Sequence, residues 1–419
     1  MNNAKKKIYR FLKWLEKWTK TDMIYLAKGG FWMSIGQVST ITTGIIASIA
    51  FANLLPMEVF GQYKFILSIF GILTIFSLSG MASATIQAVS RGYEQTYLVI
   101  QKTKLKWGLI GTLICFIISA YYYTNDNNSL AISFVIIGVL SPFLNAYSSY
   151  GSFLNGKKLF KLSTILSSST TIILTAITVI TLFFTKNIII IILCIFASKT
   201  ILNLIAYSYT ILKQKPNKKI DAQAINFGKH LSLMEAFSVV TTHIDKILIW
   251  HFIGTSELAI YSMATLPVSY IKSFFTKWVT NLALPKLANS SKETIANHFP
   301  LKVIKFTAIS TITSILYIIA APLIFRLIFP LYLESVFYTQ LLALTIAITP
   351  LGLFNSILLA HKQHKKLYQA SISTSIIQII SYIILLPLLS MTGMVLAIIF
   401  TQIFNAAILI FLSKKYLKE

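Results

Sequence analysis

Apolar runs long enough for a helix to cross a bilayer recur along the chain, and short polar segments separate them. The pattern predicts an all-α integral membrane protein with about twelve transmembrane helices arranged as two lobes of six. The predicted spans lie at roughly 29–53, 63–86, 106–124, 130–154, 162–185, 187–211, 230–254, 258–284, 303–329, 336–360, 368–390 and 393–413.

The most polar connection between spans follows the sixth one and divides the chain into two halves. It contains Pro216 and several lysines, which are typical of a linker. The predicted segments are a basic amphipathic N-terminus in the membrane interface at 1–28, an N-lobe at 29–212, a cytoplasmic linker at 213–228, a C-lobe at 229–413 and a cytoplasmic tail at 414–419.

The openings of the two halves resemble each other when they are aligned without gaps. Parallel repeats of this kind are an established transporter architecture, with the binding site near the membrane midplane between the halves. The same alignment places Gln37 opposite Glu235. The identical pairs are Gly30 with Gly228, Ser34 with Ser232, Thr43 with Thr241, Ile46 with Ile244, Ile49 with Ile247 and Tyr63 with Tyr261.

The distribution of charge along the chain first indicates the membrane topology. The 419 residues are 56% hydrophobic and only 12% charged, too few for a soluble domain, and the net charge is +25. Most of the 37 Lys and Arg lie in alternate loops and at the two termini, whereas Lys64 and Lys186 lie on the other side. By the positive-inside rule both termini are cytoplasmic. The basic charge therefore indicates orientation and attraction to anionic lipid, not nucleic-acid binding.

No sequence motif predicts a cofactor or a metal site. Cys115 and Cys194 lie within apolar runs and are expected to pack there, while His361 and His364 lack carboxylate or cysteine partners nearby in the sequence. A Gly-rich phosphate loop followed by lysine is missing from the sequence, which argues against ATP use by this chain. If energy is required, a gradient of H⁺ or Na⁺ would supply it.

The predicted span at 230–254 contains several ionisable residues. Such residues are costly in hydrocarbon and therefore mark candidate functional sites. Helical spacing places Glu235 and Lys246 on one face, about 16 Å apart along the axis, too far for a simple ion pair. We predict that Lys246 binds substrate and that Glu235 and Asp245 couple ion binding. The alternative is that Asp245 and Lys246 each form a structural ion pair with another helix.

Three further basic residues complete the predicted substrate site. Lys272 lies in the middle to inner part of the eighth span, and Arg91 and Lys28 border the inner mouth of the predicted cavity. Lysine offers a point charge and arginine a bidentate fork, so both suit an anionic head group. The alternative for Lys272 is a structural pair with Glu235 or Asp245.

Five stretches of the sequence fit the pattern of one known family. These are NLLPMEVFGQYKFILSIFGIL with SGMASATIQAVSR in the first half, HIDKILIWHFIGTSELAIYSMA at the seventh-to-eighth helix junction, and LALPKLANSSKE with PLIFRLIFPLYLESVFYTQLLAL further on. They resemble the Wzx-type oligosaccharide-lipid flippases, the polysaccharide export family of the MATE-like superfamily. At the junction, Asp245, Gly254 and Tyr261 occupy matching positions. The sequence departs from the family pattern where Ala259 and Ile260, instead of a glycine, precede the tyrosine.

The resemblance implies a non-enzymatic flippase with a MATE-like fold in the bacterial inner membrane. Such a protein would move an undecaprenyl-diphosphate-linked oligosaccharide, an O-antigen or similar repeat unit, from the cytoplasmic to the periplasmic leaflet. Alternating access would expose a cationic central cavity formed mainly by the first, second, seventh and eighth helices. Implied partners are this substrate, membrane lipids and other polysaccharide assembly proteins.

Three other functions fit a polytopic protein less well. A cation-coupled multidrug exporter of the same superfamily would favour an acidic cavity over Lys246 and Lys272. A membrane-embedded polysaccharide polymerase would need larger outer loops than the tight turns seen in this sequence. A purely structural scaffold would not explain several charges within the spans.

Overall fold

The computed structural model describes residues 23–288, 292–361 and 363–418, and within these ranges the chain is helical, without strands. The predicted amphipathic helix before Met23 lies outside the described residues. The helices are α1 (Met23–Leu54), α2 (Met57–Leu73), α3 (Met81–Ser90), α4 (Thr96–Thr124), α5 (Asn128–Tyr147), α6 (Tyr150–Gly156), α7 (Phe160–Phe184), α8 (Ile188–Gln214), α9 (Ala222–Phe252), α10 (Thr255–Ala288), α11 (Lys292–Ile328), α12 (Ser335–Ile348), α13 (Phe354–Ala360) and α14 (His364–Lys418).

Within the described ranges, 9 helices are long and apolar enough to cross a membrane, judged by length and composition. The last of them covers two predicted spans because α14 is broken at Ser390, where φ is 51°. The helices α9 and α10 are less apolar because charged and polar side chains interrupt them. The prediction of an all-α integral membrane protein is confirmed. The exact number of spans and the cytoplasmic location of the termini stay predictions.

The helices group into two compact units. The first unit comprises Met1–Ser48, Phe76–Phe184 and Ile189–Leu233, and the second comprises Ile49–Ile75, Thr185–Ile188 and Met234–Glu419. The predicted lobe boundaries stay a prediction.

Hydroxyl groups join neighbouring helices in the first unit. Between α4 and α5, Thr112 donates to the carbonyl of Gly138 at 2.7 Å and Ser119 donates to the carbonyl of Ala131 at 2.8 Å. Small residues and interhelical hydrogen bonds are the usual means of packing helices in lipid, where burial of apolar surface provides no driving force. The two helices therefore form a tight antiparallel pair.

In the second unit, α2 packs closely against the start of α10 at Gly61. A methyl group there would lie 2.0 Å from the carbonyl oxygen of Thr255, so glycine is required by the close approach. The rings of Phe65 and Trp250 stack with centroids 4.4 Å apart and hold α2 against α9. These contacts bring Lys64, which is one turn beyond Gly61, to the same group of helices.

The internal repeat reappears in the helix boundaries. Helix α1 ends at Leu54 and α9 ends at Phe252, while α2 begins at Met57 and α10 begins at Thr255. These pairs have the same offset as Gly30 and Gly228 in the sequence alignment. The turns between the first two helices of the two halves therefore occur at equivalent positions, which supports the repeat.

Candidate functional site

A cavity of about 560 Å³ opens in the second unit, with walls from α2, α9, α10, α12 and α14. Three lysines but a single acidic residue contribute to its lining: Lys64, Lys246, Lys272 and Asp245. Hydroxyl and amide side chains complete the polar part of the wall, among them Thr241, Thr265, Ser269, Thr345, Gln378 and Tyr382. The cavity is large enough for a small ligand or head group, and its wall carries more positive than negative charge.

Asp245 is the most enclosed charge of this cavity, with 6% of its surface exposed. Its Oδ2 accepts a 2.6 Å hydrogen bond from the hydroxyl of Tyr261, and its Oδ1 accepts a 2.8 Å bond from the backbone N–H of Lys246. The ammonium of Lys246 lies 3.1 Å from each carboxylate oxygen. A buried carboxylate needs such partners because desolvation without them is very unfavourable.

The turn between α9 and α10 brings Asp245 and Tyr261 together. Gly254 adopts φ of 148°, a conformation that L side chains rarely reach, and its N–H donates to the carbonyl of Ile249. Asp245 precedes the end of α9 by about two turns, and Tyr261 follows the start of α10 by nearly as much. The two side chains therefore meet at the same depth of the helical hairpin.

Lys246 and Asp245 are consecutive, so helical geometry alone points them about 100° apart. The flexible lysine side chain folds back and pairs with its neighbour, while its ammonium also lies 3.4 Å from the carbonyl of Thr242. The structural alternative was that each residue forms an ion pair with a different helix. The geometry instead shows the two residues paired with each other. The pair is formed within α9 and faces the cavity.

Lys272 contacts a neutral partner. Its ammonium donates a 2.8 Å hydrogen bond to the side-chain carbonyl of Gln402 on α14. Among the described residues it joins no salt bridge, so the alternative pair with Glu235 or Asp245 is not formed. Lys272 also lines a smaller neighbouring cavity of about 180 Å³. Its positive charge is therefore held at the wall without a balancing carboxylate from the part of the chain that the structure describes.

Lys64 is a cavity residue that the sequence analysis did not select. Its ammonium lies 5.0 Å from the ring centroid of Phe60, and its side chain lines the same cavity as Lys246. A signal was present in the repeat, because Tyr63 aligns with Tyr261 and Lys64 therefore aligns with Ser262, another residue of the cavity wall.

Two other predicted site residues, Glu235 and Arg91, are not among the described residues that line this cavity. Glu235 is exposed on α9 in the second unit. Arg91 belongs to the first unit, where its guanidinium lies 4.0 Å from the carboxylate of Asp221 and its side chain is 58% exposed. Lys28 lies in α1, and its side chain is outside the described part of the chain. The structure thus brings together three of the six predicted residues, Asp245, Lys246 and Lys272.

The surroundings of Arg91 form a structural network with the predicted linker. Asn217 donates its side-chain N–H to the carbonyl of Gly92 at 2.9 Å and its backbone N–H to the carboxylate of Glu94 at 3.1 Å. Glu94 in turn pairs with Lys157 at 3.0 Å. The acidic residues near Arg91 are therefore explained by the packing of the linker.

The described helices include 9 that are long and apolar enough to cross a membrane, and several of them line a cavity that contains three lysines, so the chain is a multi-pass membrane protein. The sequence profile of the polysaccharide biosynthesis protein family matches residues 26–291, which is more than half of the chain. The chain therefore belongs to the polysaccharide biosynthesis protein family, as the sequence predicted. No curated protein matches the sequence significantly.

Solved structures share the fold over nearly the whole chain. The lipid II flippase MurJ in an inward closed conformation aligns with a TM-score of 0.73 at 16% identity, covering 90% of this chain and 86% of that one. An inward-facing multidrug resistance MATE family transporter of the MOP superfamily aligns at 0.67 and 10% identity, covering 93% and 98%. A MOP superfamily transporter from Pyrococcus furiosus Vc1 aligns at 0.63 and 12% identity, covering 94% and 95%. These likenesses confirm the predicted MATE-like fold.

Proposed function

We propose that this protein is a flippase for an undecaprenyl-diphosphate-linked oligosaccharide, an O-antigen or similar repeat unit. It would move this lipid from the cytoplasmic to the periplasmic leaflet of a bacterial inner membrane. The family and the fold shared with the lipid II flippase MurJ support a translocated lipid-linked saccharide. The observation that carries the proposal is the cavity lined by Lys64, Lys246 and Lys272 with only one carboxylate.

The cavity chemistry suits a diphosphate head group. Phosphate oxygens accept charge-assisted hydrogen bonds from ammonium groups, and these bonds are strong where water is limited. Lys272 and Lys64 have no carboxylate to displace within the described residues, whereas Lys246 would leave Asp245 to contact the phosphate. Hydroxyl and amide groups such as Thr241 and Gln378 offer partners for sugar hydroxyls. The polyprenyl tail would remain in the surrounding lipid.

Exchange of partners by Lys246 provides a route to ion coupling. When phosphate draws Lys246 away, Asp245 retains Tyr261 as a donor but loses its balancing charge. Uptake of H⁺ or Na⁺ by Asp245 would restore neutrality, with Glu235 as the second candidate on the same helix. In this proposal access to the bound head group alternates between the two sides of the membrane, and Arg91 and Lys28 attract the substrate at the cytoplasmic mouth.

A multidrug exporter is the second candidate because MATE multidrug transporters share the fold. Pocket polarity separates the two functions. For the Pyrococcus furiosus transporter, a reversed polarity of the binding pocket has been taken to suggest a different function. Three lysines against one aspartate favour an anionic substrate over the cationic drugs that an acidic cavity would bind.

The test uses a strain that lacks the gene and carries either the wild-type gene or a variant. The sidedness of accumulated lipid-linked oligosaccharide and the amount of surface polysaccharide are measured. Without the protein, complete repeat units should accumulate on the cytoplasmic side and the polymer should be lost. Unchanged polysaccharide together with altered sensitivity to cationic drugs would support the exporter instead.

The cavity variants must separate function from folding. Lys246→Ala with Lys272→Ala should abolish flipping, but Lys246→Ala alone leaves Asp245 buried without a counter-charge. Lys272→Gln, and Lys246→Met combined with Asp245→Asn, remove cations without leaving that unbalanced carboxylate. Lys218→Ala, an exposed lysine of the linker, is the matched control. Normal flipping by a stable protein with all three cavity lysines replaced by neutral residues would refute the cationic-site proposal.

A further inference from the structure

A second cavity, of about 750 Å³, opens in the first unit between α1, the start of α7 and the end of α8. One part of its wall is basic, with Lys158, Lys161 and Lys213, and another part is apolar, with Phe160 and Ile165. We call it the α7–α8 pocket. Its size is within the range of cavities that hold small organic ligands. It shares no lining residue with the lysine-rich cavity of the second unit.

The basic residues of the α7–α8 pocket are held against aromatic rings. The ammonium of Lys161 lies 5.5 Å from the ring centroid of Trp32, and that of Lys213 lies 2.9 Å from the hydroxyl of Tyr209. Neither lysine joins a salt bridge within the described part of the chain, whereas the nearby Lys157 pairs with Glu94. Lys161 and Lys213 are therefore not balanced by carboxylates of the described residues.

The backbone at the pocket also favours an anion. The first turn of α7 lines it, and the N-terminus of a helix carries partial positive charge. Lys158, just before this turn, adopts φ of 62°, a left-handed conformation that costs roughly 1–2 kcal/mol for a residue with a Cβ atom. This conformation ends α6, where the backbone N–H of Lys158 donates to the carbonyl of Asn155 and that of Leu159 donates to the carbonyl of Leu154.

The position of the pocket in the predicted topology identifies the anion. The segments that precede α7 and follow α8 are lysine-rich and belong to the cytoplasmic side by the positive-inside rule. The cytoplasmic leaflet is the source of anionic lipid, and basic pockets between helices on that side are suited to phosphate head groups. Ile165 extends the wall from the lysines along α7 and is 43% exposed.

We propose that the α7–α8 pocket binds an anionic phospholipid of the cytoplasmic leaflet. The phosphate lies between Lys161 and Lys213 near the start of α7, the glycerol region lies against Trp32, and an acyl chain follows Phe160 and Ile165. This site is independent of the proposed transport site. The preceding N-terminal segment is a less suitable occupant because its own lysines and arginine would repel the lysines of the pocket.

Trp32 provides a direct probe of this site. The full-length protein is placed in nanodiscs with increasing amounts of phosphatidylglycerol or phosphatidylcholine brominated on the acyl chains. Since the chain has 6 Trp, the Trp32 signal is the difference between the wild type and Trp32→Phe. We expect this signal to be quenched at a much lower mole fraction of phosphatidylglycerol than of phosphatidylcholine. The other tryptophans report general lipid contact.

Substitutions then test the basic wall. Lys161→Gln and Lys213→Gln should each raise the phosphatidylglycerol fraction needed for half-quenching of Trp32 about fivefold. Lys218→Gln removes an exposed lysine from the adjoining linker. It should leave the phosphatidylglycerol fraction for half-quenching of Trp32 unchanged. A shift equal to that of Lys161→Gln in this control would show a general surface effect and overturn the proposal.

Three other results would also overturn it. Equal quenching by the two lipids would show an apolar groove without head-group preference. Displacement of phosphatidylglycerol by undecaprenyl diphosphate at far lower concentration would assign the pocket to that lipid. Quenching that appears only after residues 1–20 are deleted would show that the N-terminal segment occupies it.

Discussion

The hydrogen bond from Tyr261 to Asp245 provides a quantitative test of the site. The two residues lie on different helices, Tyr261 is fully buried, and the donor–acceptor distance is 2.6 Å. Tyr261→Phe removes only the hydroxyl group. Asp245→Leu removes the acceptor with a side chain of similar size. The double variant completes a thermodynamic cycle that isolates the interaction between the two side chains.

The expected coupling energy follows from the geometry. Neutral side-chain hydrogen bonds between membrane helices contribute about 0.6 kcal/mol on average in such cycles. An ionised acceptor makes a hydrogen bond roughly twice as strong. We therefore expect a coupling free energy of about 1.2 kcal/mol between Tyr261 and Asp245. Asp245→Leu also removes the ion pair of Lys246. This loss occurs in both variants that carry Asp245→Leu, so it cancels in the coupling free energy.

The measurement is reversible unfolding of the purified protein in mixed micelles with increasing sodium dodecyl sulfate, followed by tryptophan fluorescence. Free energies are extrapolated linearly for the wild type, both single variants and the double variant. Tyr332→Phe is the control, because Tyr332 is also fully buried but its hydroxyl has no hydrogen-bond partner among the described residues. Its combination with Asp245→Leu should be additive. A Tyr261 coupling within about 0.5 kcal/mol of zero would refute the reasoning.

Three further substitutions test other parts of the structure by the same unfolding assay. Gly61→Ala should destabilise by about 1–3 kcal/mol because the added carbon would lie 2.0 Å from the carbonyl of Thr255, while Gly352→Ala, where the space is open, serves as the control and should cost less. Arg91→Gln should change stability by less than about 0.5 kcal/mol, since its ion pair is 4.0 Å long and its side chain is 58% exposed; a larger loss would show a tighter role. Lys104→Met should leave stability unchanged or raise it, because this lysine is 7% exposed and bonds a serine hydroxyl instead of a carboxylate; a lower unfolding free energy would contradict this.

The fold could be predicted from the sequence because it is determined mainly by a local feature, the apolar runs. An apolar run must satisfy its backbone within a helix if it is to cross lipid, and short polar breaks then set the helix ends. The break at Ser390 and the turn at Gly254 both fall where the hydropathy pattern predicts them. The amount of charge on α9 and α10 was also visible in the sequence. It marked these helices as the ones that face the cavity.

The partners within the site were less predictable because they depend on side-chain conformations and distant contacts. Helical projection separates Asp245 and Lys246, yet the long lysine side chain folds back to its neighbour. Gln402 is 130 residues from Lys272, and no local pattern joins them. Glu235 shares a helical face with Lys246 by the same projection but remains exposed, away from the cavity wall. Periodicity gives the face of a helix, whereas packing decides which part of that face is enclosed.

The Asp245–Lys246 pair is difficult to explain by stability alone. Apolar residues of similar volume would often stabilise the protein at least as well as a buried ion pair, which loses hydration at both groups. The pair instead keeps a cation in the wall of a cavity where Lys64 and Lys272 lack carboxylate partners within the described residues. An entering anion would then stabilise all three lysines and compete with Asp245 for one of them. In the proposed function, binding of substrate would therefore break the pair and link the head group to the charge state of Asp245.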